Sequence, residues 1–174
     1  KRETLYYQLG ADDVFDKKVL GVISSLRRVK KRAPEAPVVL RDPREHLHPM
    51  RKVKTASELE LLRKACEISA EGHLAAMKAC RPGMFEYELE AELGHEFRRH
   101  GGTHAYPPIV GGGDNACILH YRDNAMPLVA GELVLIDSGC EHGHYASDIT
   151  RTFPVDGRFS APQQALYEVV LEAN

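Results

Sequence analysis

The sequence lacks any hydrophobic run long enough to cross a membrane. A membrane-spanning helix takes roughly 20 predominantly apolar residues, and charged or turn-forming residues interrupt every apolar stretch before that length. The region after Lys1 also lacks the pattern of a secretory signal peptide. We therefore expect a protein without membrane partners.

The sequence also lacks an excess of positive or of negative charge. The 23 Lys and Arg residues nearly balance the 25 Asp and Glu residues, and the formal net charge is −2. This balance gives no electrostatic reason to expect a nucleic-acid partner. The glycine run Gly111–Gly113 lies in neither a Gly-Lys-Ser/Thr motif nor a Gly-x-Gly-x-x-Gly motif opening a helix, so phosphate binding is not favoured.

Cysteine is scarce, and its spacing excludes common frameworks. The four cysteines (Cys66, Cys80, Cys117 and Cys140) form no Cys-x-x-Cys pair. Free thiols in a reducing compartment are therefore favoured over a disulfide framework, and we expect a cytoplasmic protein. We predict that Cys66 and Cys80 are core residues and that Cys140 serves in packing.

A change of composition divides the chain. The segment from Arg41 to Met50 has two prolines and several charges, which is typical of a connector. We therefore assign residues 1–45 to the end of one domain and residues 46–174 to the start of another. In the first domain, helical spacing after Asp12 predicts a helix that ends near Arg32.

Helices are predicted along much of the second domain. A capping-box pattern at Ser57-Glu-Leu-Glu60 precedes a long periodic run, and a second periodic run ends at Gly101-Gly102. Ser160 is a plausible N-cap for a third helix. His73 lies on the buried stripe of the first of these helices, so we interpret it as a structural histidine. The stripe of the first helix is Leu59, Leu62, Cys66, Ser69, His73, Ala76 and Cys80, widened by Leu61, Ala65, Ile68 and Ala75, and that of the second is Leu89, Leu93 and Phe97.

A β-hairpin is predicted near the C-terminal end. Leu133–Ile136 and Ile149–Phe153 carry the β-branched and aromatic residues of strands, with a glycine turn between them. If His142-Gly143 are the central turn residues, Asp137 lies directly opposite Asp148. Opposed side chains have Cβ atoms about 4.5–5.5 Å apart and share a face of the sheet.

Two carboxylates held in this way repel each other unless a proton or a cation lies between them. The alternative is a pair of unrelated surface aspartates, with a bulge breaking the register. His120, at the end of a strand-like run from Asn115 to Tyr121, adds a third group that suits divalent ions. Glu141, His142 and His144 flank the turn and are further possible ligands, although exposed turn residues are commoner.

Three motifs together resemble those of the pita-bread metallopeptidases, and most closely the Xaa-Pro aminopeptidases (aminopeptidase P). The resemblance extends back through the Tyr106–Gly113 segment to the helix predicted from Ser57. The motifs are Asn115-Ala-Cys-Ile-Leu-His-Tyr121, Leu135-Ile-Asp-Ser-Gly-Cys-Glu141 and Tyr145-Ala-Ser-Asp-Ile-Thr-Arg-Thr-Phe153.

The resemblance implies an α+β fold: the first half of a pita-bread catalytic domain, with an antiparallel sheet and covering helices, preceded by the end of a smaller α/β domain. It implies a metal-dependent aminopeptidase that hydrolyses the bond between an N-terminal residue and a following proline. The implied partner is a proline-containing peptide, and the full-length protein is expected to be a homo-oligomer.

The resemblance also implies site residues and a cofactor. Two divalent ions, typically Mn²⁺, would be held by two Asp, one His and two Glu. Asp137 would bind one ion and Asp148 would bridge both, while His120 would be the catalytic histidine that steadies the scissile carbonyl or moves a proton. Thr150 would donate a hydrogen bond to a metal ligand.

The family's metal-binding His and both Glu ligands are expected after Asn174. We therefore interpret the chain as an internal fragment that is inactive by itself. Alternatives within the fold are a prolidase-type Xaa-Pro dipeptidase, a methionine aminopeptidase and a catalytically inactive binding module. The presence of His120, Asp137 and Asp148 argues against the inactive module.

Overall fold

The computed structural model describes residues 3–28 and 36–174. The chain forms two compact units, Lys1–Thr55 and Ala56–Asn174. The predicted helix end near Arg32 lies outside the described residues. Among the described helices, none combines the length and apolar character needed to span a membrane.

The first unit combines a small parallel sheet with two helices. Strands β1 (Thr4–Tyr6) and β2 (Val39–Arg41) pair in parallel, and helix α1 (Asp13–Arg28) lies between them in sequence. The segment predicted as a connector instead contains helix α2 (Arg44–Lys52). Asp42 contributes to the start of this helix, because its Oδ1 accepts a hydrogen bond from the Arg44 amide at 2.9 Å.

The second unit contains the three predicted helices, and their existence is confirmed. They are α3 (Ala56–Ala79), α4 (Glu86–Arg99) and α5 (Ala161–Ala173). Helices α3 and α4 pack against each other. The Ser160 amide donates to Gln163 Oε1 at 2.8 Å, as an N-terminal capping interaction requires.

The buried face of α3 differs from the predicted stripe. Cys66 is exposed, so the prediction that it is a core residue is wrong, whereas Cys80 is half-buried and packs against the core. Cys66 shares its helix face with the exposed Arg63 and Ala70, which explains why it points away from the core. His73 is buried as predicted. The residues that face the core are Ala65, Ile68, Ser69, Gly72, His73 and Ala76.

Two three-stranded antiparallel sheets complete the second unit. In one, β6 (Cys140–His142) pairs with β3 (Thr103–His104) and with β7 (Tyr145–Ala146). In the other, β5 (Leu133–Ser138) lies between β4 (Ile109–Gly112) and β8 (Ile149–Pro154). The core includes Ile68 and Ala76 of α3, Leu89, Leu93 and Phe97 of α4, and Val134 and Ile136 of β5.

The predicted hairpin exists, but its predicted register is wrong. Asp137 pairs with Thr150 rather than with Asp148. The turn also moves by one residue, because its central residues are Gly143 and His144, with φ angles of 59° and 69°. Two-residue hairpin turns of this kind need positive φ at both central positions. A shift of two residues in the pairing preserves the face on which each side chain lies.

The hairpin is also divided between the two sheets at Gly139. A Cβ atom at this position would lie 1.8 Å from the Ser147 carbonyl oxygen. Only glycine therefore permits the two chain segments to cross so closely. This crossing places Asp148 just before the start of β8 instead of within a continuous hairpin strand.

The strand predicted from Asn115 to Tyr121 is absent. A 3₁₀ helix spans Gly113–Cys117, and a turn follows through His120. This helix packs against β4 and β5. Its Asn115 side chain donates a hydrogen bond at 3.0 Å to the buried carboxylate of Glu86 on α4, a long-range contact that competes with the local strand preference.

Candidate active site

Asp137 and Asp148 converge on one phenolic hydroxyl. The hydroxyl of Tyr106 lies 2.6 Å from Asp137 Oδ1 and 2.8 Å from Asp148 Oδ1. Asp137 and Tyr106 are half-buried, whereas Asp148 is exposed. The structure therefore brings the two predicted aspartates together although they are not directly paired across strands.

A single hydroxyl cannot fully satisfy two carboxylates, because it has only one proton to donate. Burial raises the pKa of Tyr106, and the hydrogen bonds to Asp137 and Asp148 and their negative charges raise it further. Tyr106 thus remains a neutral donor between two acceptors. The site has more acceptor capacity than this one donor can use.

The segment that carries Asp148 is fixed by a buried serine network. Ser147 Oγ lies 2.7 Å from Ser69 Oγ on α3, and the Cys140 amide donates to Ser69 Oγ at 2.7 Å and to Ser147 Oγ at 3.0 Å. The Ser147 hydroxyl also lies 3.2 Å from the carbonyl oxygen of Ala65. Helix α3 therefore holds the crossing between β6 and β8, and with it the backbone next to Asp148.

Thr150 lies directly across the β5–β8 ladder from Asp137. Its side chain is exposed. Within the described structure no hydrogen bond joins this side chain to either aspartate. The register is compatible with a contact to Asp137, and the predicted role of Thr150 as a donor to a metal ligand stays a prediction.

His120 lies in an exposed turn and has a φ angle of 57°. A positive φ is uncommon for a residue other than glycine and is found at functional sites more often than elsewhere. In the described part of the chain, no hydrogen bond or ion pair joins His120 to Asp137 or Asp148. Of the four predicted site residues, the structure thus clusters Asp137 and Asp148, places Thr150 across the ladder from Asp137 and leaves the imidazole of His120 accessible.

The loop that carries His120 is tied to a buried carboxylate that the sequence analysis did not identify. Glu86 at the start of α4 is completely buried. Burial acts to raise its pKa, but hydrogen bonds from Asn115, Gly112, Met126 and Tyr121 outweigh that effect, so its pKa is lowered. Glu86 is therefore ionised inside the protein at neutral pH.

The other candidate ligands near the turn are dispersed. Glu141 and His144 are exposed, and His142 is half-buried. A separate group, Glu71, Glu96 and His100, lies where α3 and α4 pack together. Contacts within the protein account for that group: Arg99 Nη2 forms an ion pair with Glu96 Oε1 at 2.5 Å, and the ring nitrogens of His100 lie 3.6 Å from Glu96 Oε1 and 3.2 Å from Glu71 Oε2.

Tyr106 could not be recognised from spacing. It lies 31 residues before Asp137 and 42 residues before Asp148, and no secondary-structure period connects such distant positions. Its place follows from the path of the chain between β3 and β4, where the Ala105 amide donates to the Gly139 carbonyl at 2.9 Å. The two prolines after Tyr106 restrict the backbone at this point.

The residues present fit a hard divalent cation. Carboxylate oxygens are the ligands that Mn²⁺ and Mg²⁺ prefer, and Asp137 and Asp148 offer such oxygens around a single shared donor. A cation beside them would balance the two negative charges that one hydroxyl leaves uncompensated.

An antiparallel sheet that is covered by helices thus presents two clustered carboxylates, the type of ligand that a divalent cation takes. The comparison with protein families agrees: the model of metallopeptidase family M24 matches residues 60–174. The chain belongs to this family.

Individual relatives are similar over most of the chain. It is 46% identical over 172 residues to the Xaa-Pro aminopeptidase of Escherichia coli, which covers 98% of this chain and 39% of the relative. It is 53% identical over 133 residues to the Xaa-Pro aminopeptidase of Haemophilus influenzae, which covers 76% of this chain and 31% of the relative. The chain therefore spans less than half the length of these relatives.

Solved structures confirm the predicted fold class. A variant of E. coli aminopeptidase P in complex with substrate matches with a TM-score of 0.92 at 46% identity, over 98% of this chain and 39% of that one. Aminopeptidase PepP of Pseudomonas aeruginosa matches with a TM-score of 0.93 at 49% identity, over the same shares. The mixed helix and sheet structure thus corresponds to a portion of the pita-bread aminopeptidase P fold.

Proposed function

We propose that the protein containing this chain is a metal-dependent aminopeptidase that cleaves the bond between an N-terminal residue and a following proline. The observation that carries the proposal is the convergence of Asp137 and Asp148 on the Tyr106 hydroxyl. The similarity to Xaa-Pro aminopeptidases supports the substrate class.

In this proposal Asp137 and Asp148 would be the carboxylates of this chain that hold two divalent ions, most simply Mn²⁺. A bound divalent cation supplies Lewis-acid polarisation of the scissile carbonyl and activates water for attack at neutral pH. Asp137 also accepts a hydrogen bond from the free α-amine of the peptide, which would restrict cleavage to the first residue.

The remaining residues orient and shield the reacting groups. Tyr106 donates its hydrogen bond to the carboxylates and fixes their orientation. His120 faces the substrate, where an imidazole N–H steadies the scissile carbonyl or passes a proton to the leaving amine. Thr150, paired with Asp137 on the neighbouring strand, would donate a hydrogen bond to that carboxylate when the metals are bound. A cytoplasmic location and a homo-oligomeric state stay predictions from the sequence.

The test compares two peptides with the full-length protein and added Mn²⁺. An Xaa-Pro-Xaa tripeptide should be cleaved after its first residue, and an Xaa-Pro dipeptide should be cleaved much more slowly. Preference for the dipeptide would favour a prolidase-type enzyme instead. Cleavage of neither peptide would overturn the peptidase proposal and favour a binding module.

The variant Asp148→Asn tests the site within this proposal. It keeps the size of the side chain but removes the charge that would hold the cation, so Mn²⁺ binding and peptide cleavage should both be lost while the thermal unfolding of the metal-free protein changes little. Glu141→Gln is the matched control, because it removes the same charge from an exposed position nearby. Retained Mn²⁺ binding in Asp148→Asn would show that this carboxylate is not a ligand.

A further inference from the structure

The loop that carries His120 is held by hydrogen bonds to one side chain, the carboxylate of Glu86. We define the His120 loop as residues 113–125. Its residues and those just outside it direct four donors at the Glu86 carboxylate. These are the Gly112 amide at 2.8 Å, Asn115 Nδ2 at 3.0 Å, the Tyr121 hydroxyl at 2.7 Å and the Met126 amide at 3.0 Å.

The four donors are divided equally between the two oxygens of the Glu86 carboxylate. Gly112 and Asn115 bond to Oε1, while Tyr121 and Met126 bond to Oε2. One carboxylate oxygen therefore holds the start of the loop and the other holds its end. The donor from Tyr121 belongs to the residue directly after His120, so the anchor reaches the immediate neighbour of the histidine.

Glu86 has no exposed surface, and in the described structure all four of its hydrogen-bond partners are uncharged. A buried carboxylate is tolerated only when it is hydrogen-bonded or paired with a cation. If the loop moved away, the charge would lose the donors of Asn115 and Tyr121, which lie within the loop, and would keep only the Gly112 and Met126 amides at its two ends. The bonds that satisfy the carboxylate therefore also restrain the loop.

A second carboxylate on the same helix assists at the end of the loop. Glu90, one turn after Glu86, accepts a hydrogen bond from Asn124 Nδ2 at 2.8 Å. Asn124 is buried, has a φ angle of 44° and accepts a hydrogen bond from the Val110 amide at 2.9 Å. The base of the loop is thus fixed, whereas the tip at Ile118 and Leu119 is 53% and 86% exposed.

We propose that Glu86 is the positioning residue of the His120 loop and holds His120 in its strained conformation for the reaction. The inference rests on the proposed function, in which His120 faces the substrate. Glu86 does not touch the substrate. It acts through the segment from Gly112 to Met126, accepting hydrogen bonds from two backbone amides and from the side chains of Asn115 and Tyr121.

The variant Glu86→Gln tests the anchor directly. It keeps the size of the side chain but replaces one acceptor oxygen with an NH₂ group, so two of the four donors face another donor. In the full-length protein, hydrogen exchange of amides 113–125 should accelerate about tenfold or more, while the amides of α3 keep their protection. Glu92→Gln, half-exposed on the same helix, is the matched control and should leave exchange in the loop unchanged.

Tyr121→Phe is a milder version of the same test, because it removes one donor and leaves the carboxylate with three. It should accelerate exchange in the loop by a smaller factor than Glu86→Gln. Unchanged exchange in both variants would overturn the anchoring role. Equal acceleration across α3 and the loop would also overturn it, because that result describes general destabilisation.

A double-mutant cycle separates positioning from stability. If Glu86 acts through His120, Glu86→Gln should lower kcat about tenfold with little change in KM, and it should have no further effect in a His120→Ala background. Independent, multiplicative effects would overturn the positioning role. If the protein cleaves no peptide but exchange in the loop still depends on Glu86, the proposed function fails and the anchoring of the loop stands.

Discussion

Tyr106 stands between two negative charges as a neutral donor. Its hydroxyl lies within hydrogen-bond distance of both Asp137 and Asp148, and burial together with these two carboxylates raises its pKa. Removing the hydroxyl would leave two neighbouring carboxylates without their common partner. In the metal-free site, this one hydroxyl therefore determines how strongly the repulsion between Asp137 and Asp148 destabilises the folded protein.

We therefore expect Tyr106→Phe to lower the free energy of unfolding of the metal-free protein by about 1–2 kcal/mol, the usual cost of removing one partner of a partly buried hydrogen bond. Thermal unfolding should show this as a lower Tm. Tyr87→Phe is the control, because Tyr87 is 50% exposed and stacks on Phe85. Equal losses in the two variants would contradict the special role of the Tyr106 hydroxyl.

The buried carboxylate of Glu86 should make the free energy of unfolding depend on pH. Its pKa is lowered in the folded protein relative to about 4.3 in an unfolded chain. The carboxylate therefore contributes stability that is fully present above about pH 5 and is lost as the pH falls through the folded-state pKa. The difference in unfolding free energy between the wild type and Glu86→Gln should be about 1–3 kcal/mol near neutral pH and should shrink in acid.

Urea unfolding at a series of pH values measures this difference, with Glu92→Gln compared in parallel as the control. A difference between the wild type and Glu86→Gln that stays constant from neutral to acid pH would show that the charge of Glu86 contributes nothing to the anchor. A difference that grows in acid would reverse the sign of the expected effect.

Among the secondary-structure elements, the crossing at Gly139 decides where Asp148 lies. A Cβ there would meet the Ser147 carbonyl oxygen at 1.8 Å and its carbon at 2.7 Å. Backbone atoms cannot move aside as a flexible side chain can, so Gly139→Ala must displace one of the two segments. We expect a loss of about 3 kcal/mol in stability, at the upper end for overpacking, and weaker Mn²⁺ binding because Asp148 follows Ser147 directly.

The control for this prediction is Gly21→Ala. Gly21 lies within α1, where a Cβ would have open space around it, and alanine in a helix is favoured over glycine by about 1 kcal/mol. Thermal unfolding should therefore show opposite effects of the two substitutions. A Gly139→Ala protein with wild-type Tm and Mn²⁺ affinity would show that the crossing adapts without cost.

Periodicity is sufficient to predict the helices from the sequence but not the register of the hairpin. Leu89, Leu93 and Phe97 recur at helical spacing and are all buried. Helical spacing depends only on neighbouring residues, so the sequence is enough to predict it. The pairing of Asp137 with Thr150 depends instead on which residues occupy the turn. Both His142-Gly143 and Gly143-His144 contain the glycine that signals a turn, so the sequence alone did not distinguish them.

Long-range polar contacts explain the other errors. The run from Asn115 to Tyr121 has strand-like composition, yet the side chains of Asn115 and Tyr121 bond to Glu86, which lies 29 and 35 residues earlier in the chain. Such a contact has no local signal. Asp137 and Asp148 were nevertheless correctly predicted to lie close together, since the shift of two residues kept them on compatible faces.

At the scale of the whole molecule, the candidate site lies within one unit. Tyr106, His120, Asp137 and Asp148 all belong to Ala56–Asn174, and none belongs to Lys1–Thr55. A ligand that binds only the folded state stabilises the part of the protein that must be folded to bind it. The effect of a cation on each unit can therefore be measured separately.

We expect Mn²⁺ to protect the second unit selectively in the full-length protein. At 100 times its Kd, a ligand adds about 2.7 kcal/mol to the stability of the state that binds it, so exchange of the amides in α3 and β5 that requires unfolding of the site should slow about 100-fold. Amides of α1, in the first unit, should change much less. Asp148→Asn should abolish the protection, whereas Glu141→Gln should retain it. Equal protection of α1 and α3 would show that the two units unfold together or that Mn²⁺ binds elsewhere.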